Sequence, residues 1–134
     1  MKWFGSATQE GEVEATESLR RAHFGGLVTL RILDLGVYEL SNVLIRRRRW
    51  PAEEAAEQIE DLFTVVGPPV PLDGLWIRDA LSLADSYGLS GYDAHWAAAA
   101  RHLNVPLISA DRQLLEAGLA ESPTSAASRL GLLQ

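Results

Sequence analysis

Apolar and small residues recur at close to the helical period between Glu12 and Phe24, where Val13, Ala15, Thr16, Leu19, Ala22 and Phe24 sit among charged neighbours. Gly25-Gly26 ends that run, and the largely apolar stretch Leu27 to Leu33 predicts a strand. Asp34 is placed to cap a helix from Leu35 to about Arg49. Pro51 suits the first turn of the next helix, which Glu53, Ala56, Ile59, Leu62 and Phe63 carry on. Val65-Val66 opens a short extended piece broken by Pro68, Pro69 and Pro71.

The second half repeats the alternation. The pattern predicts a helix from about Leu75 to Tyr87 with a stop at Gly88, and another from about Tyr92 to Leu103, ended by Asn104 and Pro106. A short strand, Leu107-Ile108-Ser109, is followed by a helix over Arg112 to Ala117, a polar Ser- and Thr-rich stretch and a weak terminal apolar run. Helices alternating with short strands imply an α/β fold with a small, mostly parallel sheet flanked by helices. With 134 residues, 47% of them hydrophobic, and neither repeat nor long linker, residues 1–134 read as one domain with its own core.

Composition narrows the chemistry. Cysteine is absent, which excludes a disulfide framework, a thiol nucleophile and a thiolate metal site, and fits a cytoplasmic location. No stretch approaches the ~18 apolar residues of a membrane span, so neither secretion nor membrane insertion is expected. A net charge of -6 argues against nonspecific coating of nucleic acid, which rests on neutralising phosphates. Local basic clusters remain at Arg46-Arg47-Arg48-Arg49 and Arg20-Arg21. They read either as RNA contacts or as ordinary complements to helix ends.

Three acids are the chemical candidates. Glu39 lies in a helix among Val37, Leu40, Val43 and Leu44, where an ionised side chain near the apolar face needs a cation or several donors. It also reads as an exposed glutamate one step off the buried stripe. Asp93 opens an Ala-rich helix, and Asp111 follows the short strand ending at Ser109, where open α/β sheets place their ligands. Capping alone accounts for either aspartate. Together the three suggest a site for Mg²⁺ or Mn²⁺, which prefer oxygen ligands and polarise phosphoryl groups. Asn42, one turn beyond Glu39, reads as a hydrogen-bonding neighbour or a surface amide. His23, His95 and His102 lack a metal-ligand spacing and are expected to be structural or solvated, while Asp73, Asp79, Asp85 and Glu116 are expected at the surface. No glycine-rich phosphate loop or nucleophile elbow is present.

The segments Lys2-Trp3-Phe4, Tyr38-Glu39, Asn42-Val43-Leu44, Tyr92-Asp93-Ala94 and Ala110-Asp111-Arg112 resemble the PIN-domain family of metal-dependent ribonucleases, and within it the VapC toxins of toxin–antitoxin pairs. The resemblance runs over nearly the whole chain. It implies an α/β/α sandwich around a parallel sheet, with Glu39, Asp93 and Asp111 as catalytic, metal-binding acids. It further implies a Mg²⁺ or Mn²⁺ cofactor, an RNA substrate such as transfer RNA, a small antitoxin partner and a homodimer. In that family a central strand carrying a first aspartate precedes the segment that Lys2-Trp3-Phe4 resembles. Here that strand is expected to be missing from the sheet, its coding sequence lying upstream of Met1, with ladder hydrogen bonds lost and apolar surface exposed. The alternative is a catalytically impaired remnant that binds an antitoxin or another protein. A smaller departure is Leu33, where relatives often carry proline.

Overall fold

A computed structural model describes residues 10–133, and among them seven α-helices follow one another. Helix α1 spans Glu10–Phe24, α2 Asp34–Asn42, α3 Ala52–Val66, α4 Ile77–Tyr87, α5 Gly91–Leu103, α6 Arg112–Glu116 and α7 Pro123–Arg129. The resemblance at Lys2-Trp3-Phe4 lies outside the described residues.

The helices start and stop where local chemistry dictates. Ser90 caps α5 by accepting the Asp93 N–H at 3.1 Å, and Ser122 caps α7 through the Ser125 N–H at 3.0 Å. Gly88 closes α4 in the left-handed region, with φ of 66°, and lets the chain reverse into α5, against which α4 packs. The long helix expected to Arg49 changes character: α2 ends at Asn42 and continues as a wider turn, Val43–Arg47, with the Arg48 N–H bonded to the Val43 carbonyl. Asp34 is the first helical residue of α2 rather than its cap. Its carboxylate accepts the N–H groups of Leu35 at 2.8 Å and Leu72 at 3.3 Å, so it ties the helix entry to the following loop. Val65 and Val66 belong to α3 and are not extended.

The two expected strands are reduced to single bridges. Leu33 pairs in parallel with Val70, and Ile108 pairs in parallel with Glu121. A strand is held by ladder hydrogen bonds to its neighbours. Residues 27–32 and 106–107 are extended in sequence character but, among the described residues, form no continuous ladder.

Two apolar clusters result. Ala15 and Leu19 of α1 pack on Ala126 and Ala127 of α7. The larger cluster joins α2 to α5 and includes Ile32, Leu40, Leu62, Trp96 and Leu114. Gly36 permits a close approach within it: a Cβ there would lie 3.1 Å from Cη2 and Cζ2 of Trp96, so the α2 backbone lies against the indole.

Candidate metal centre

The three candidate acids lie at the entries of two helices and on the face of a third. Asp93 lies in the first turn of α5 and is 6% exposed, so its carboxylate is held in the interior beside the positive end of the helix. Trp96 follows three residues later on the same face of α5. Its indole Nε1–H donates to Glu39 Oε1 at 2.6 Å, across from α2. This bond settles where Glu39 points: it is half-buried and turned toward α5, not outward from the stripe.

Asp111 enters from the other side, just beyond the Ile108 bridge. Its Oδ1 accepts the N–H groups of Gln113 at 3.0 Å and Leu114 at 3.2 Å, capping α6. Its own N–H donates to Oγ of Ser109, a residue with no exposed surface, at 3.0 Å. Capping and metal binding are compatible, since an ionised carboxylate offers about four lone-pair sites.

The structure thus brings Glu39 and the α5 face carrying Asp93 together through Trp96, and fixes Asp111 independently. Among the described residues no three His, Asp or Glu side chains form a ready metal cage. The donor chemistry nonetheless fits Mg²⁺ or Mn²⁺: all candidates are hard carboxylate oxygens, one of them buried, and Mg²⁺ commonly takes only one or two carboxylates plus water.

The other candidates fall elsewhere. Asn42 is exposed. His23 is structural: its ring accepts the Leu30 N–H at 3.1 Å and also reaches the Val65 carbonyl. His95 bonds the Gly91 carbonyl at 2.7 Å. His102 Nε2 lies 2.6 Å from Asp79 Oδ2, so Asp79 links α4 to α5 instead of facing solvent alone. Asp73 caps the turn Gly74–Trp76, while Asp85 and Glu116 are exposed. Sequence reasoning passed over Trp96, Ser90 and Ser109. Ser90 was discoverable from its serine three residues before an acid at a helix start, whereas the Trp96 contact joins residues 57 positions apart and leaves no local signal.

A family model for the PIN domain matches residues 2–119. The chain belongs to the PIN-domain family. A VapC-like relative, Ribonuclease VapC3 of Pyrobaculum aerophilum, is 34% identical over 91 residues, covering 65% of this chain and 70% of that protein. The crystal structure of PAE2754, also from Pyrobaculum aerophilum, superposes with a TM-score of 0.66 at 25% identity and covers 96% of this chain and 93% of that one. This PIN-domain chain is therefore an α/β protein of VapC-like kind, even though its described residues are mostly helical.

Proposed function

We infer that this PIN-domain chain is a metal-dependent endoribonuclease whose site is formed by Glu39, Asp93 and Asp111. The observation that carries the reading is the buried Asp93 at the head of α5, one turn from the Trp96 that holds Glu39. The family match and the ribonuclease relative support it.

Glu39, Asp93 and Asp111 would hold Mg²⁺ or Mn²⁺, which when bound supplies Lewis acidity toward a phosphoryl oxygen and lowers the pKa of an attacking water. The protein's part is positioning. Trp96 fixes one oxygen of Glu39, the α5 entry fixes Asp93, and Ser109 together with the α6 cap fixes Asp111. Tyr38 and Tyr92 are 72% and 64% exposed beside Glu39 and Asp93 and offer aromatic faces on which unpaired bases stack. Arg46 to Arg49 are all exposed and give the acidic chain a local grip on phosphates. The substrate in this reading is structured RNA such as transfer RNA. A small antitoxin and a second copy of the chain are its partners in the cytoplasm.

Direct metal binding tests the assignment without relying on turnover. Mn²⁺ titrated into the full chain and followed by electron paramagnetic resonance is expected to bind, and Asp93→Asn to lose that binding while its circular dichroism is unchanged. Equal Mn²⁺ affinity in the two proteins would reject the site.

A further inference from the structure

Beyond α2 the chain leaves the helical register in a way that frees a run of cations. Leu40 and Leu44 are both buried, one turn apart, so an α-helical continuation would bring Arg47 or Arg48 onto the same inward stripe. The wide turn Val43–Arg47 takes up extra chain and breaks that register, and Arg46, Arg47, Arg48 and Arg49 are all exposed. They do not form a loose basic tail. Buried Leu44 anchors one end of the turn and Trp50, packed on the larger apolar cluster, the other, with the Trp50 N–H donating to the Leu44 carbonyl at 3.0 Å.

Two features of this turn run against stability. Arg49 has a φ of 55°, in the left-handed region that favours glycine. Every other positive φ among the described residues falls to a glycine or to Asn104, whose short amide tolerates it. Four adjacent cations also repel one another. Among the described residues none of the four has an ion pair, whereas Arg20, Arg112 and Arg129 pair with Glu17, Glu116 and Glu121. The helix dipole accounts for cations in a last turn, but its effect fades beyond that turn and does not call for arginine where glycine is usual. Strain held at an exposed position points to function.

The ligand such a turn suits is a polyanion. Guanidinium groups take phosphate oxygens bidentately, and a turn fixed at both ends binds without first having to order itself. An acidic protein segment would also bring anions, but a protein interface needs an apolar centre, and within residues 43–49 Ile45 is the one large apolar side chain that is exposed. Arg46 also lies about two turns beyond Glu39, about 10 Å along the axis.

Building on the reading of Glu39 as part of an RNA-cleaving centre, we propose that the turn is a preformed clamp for the RNA phosphates that flank the cut, with Arg49 as its central substrate-binding residue. It grips phosphates away from the reacting one, so it contributes to binding and not to the chemical step.

The test follows a fluorescein-labelled RNA hairpin binding to the full 134-residue chain by fluorescence anisotropy in EDTA, so that neither metal nor turnover enters. Arg49→Gly is expected to bind about tenfold more weakly and to lower the salt slope by about 0.7–1. It is also expected to melt about 2–4 °C higher, because glycine relieves the left-handed backbone. Arg49→Gln is expected to lose the same affinity without that gain. Arg78→Gln, which removes one exposed charge from α4, is expected to change affinity by less than about twofold. Equal affinity of the native chain and Arg49→Gly, or an equal loss in Arg78→Gln, would overturn the clamp and leave the metal centre to its own Mn²⁺ titration. A lower melting temperature for Arg49→Gly would make Arg49 structural and also overturn it. So would absence of RNA binding by the native chain, and Arg49-dependent binding of a labelled oligoglutamate peptide in its place would assign the turn to an acidic protein.

Discussion

Trp96 holds one oxygen of Glu39, and metal titration reads that contact apart from stability. Trp96→Phe removes the 2.6 Å hydrogen bond to Glu39 together with the Cη2 and Cζ2 atoms that lie under Gly36. Partners of this kind orient a metal ligand, and their loss costs roughly 10–100-fold in metal affinity. That loss, measured by Mn²⁺ titration, is expected to exceed what the accompanying stability change of about 1–3 kcal/mol would produce in a still-folded protein. Asp111 allows a second separation. Asparagine caps helices about as well as aspartate, so Asp111→Asn is expected to retain stability within a few tenths of a kcal/mol, whereas Asp111→Ala loses about 1 kcal/mol. Both are expected to lose Mn²⁺ affinity; urea unfolding reads the first effect and titration the second. The three acids could be named from the sequence as candidates, Asp93 at a helix entry, Asp111 after a short apolar strand and Glu39 within an apolar helix. What holds Glu39 could not, because that contact is tertiary.

At the scale of elements, the proposed site requires α2 and α5 to touch, and Gly36 lets them approach closely. Gly36→Ala gains about 0.5–1 kcal/mol in helix propensity but places a Cβ 3.1 Å from an indole confined by the core and by Glu39. Overpacking of that kind costs about 1–3 kcal/mol and wins. A lowered urea midpoint with unchanged slope is the expected outcome. Helices were read well from periodicity at α1, α3, α4 and α5, where apolar spacing and stop residues agree. Helix α7 was read as a polar stretch, although Ser122-Pro123 is the cap and first-turn pair that announces a helix. Strands fared worse at 27–33 and 107–109. Apolar composition predicts burial in a sheet, but a ladder also needs partners on both sides, and these segments are bridged on one side alone among the described residues.

For the whole molecule, the balance of charge frames how a PIN-domain chain with net charge -6 would hold RNA. Attraction has to come from local clusters, of which Arg46 to Arg49 is the densest. Replacing all four with glutamine is expected to weaken RNA binding and to flatten its dependence on salt, because each lost phosphate contact removes released counterions. Filter binding at several salt concentrations reads that slope. The central claim, that Glu39, Asp93 and Asp111 make this chain a metal-dependent ribonuclease, is tested most directly by RNA cleavage. The purified 134-residue chain is assayed with Mg²⁺ or Mn²⁺, with EDTA and with Asp93→Asn, folding being checked by circular dichroism in each case. Cleavage by the native chain that disappears in both controls is the expected result. Cleavage that survives EDTA or Asp93→Asn, or none from a folded native chain, would contradict it.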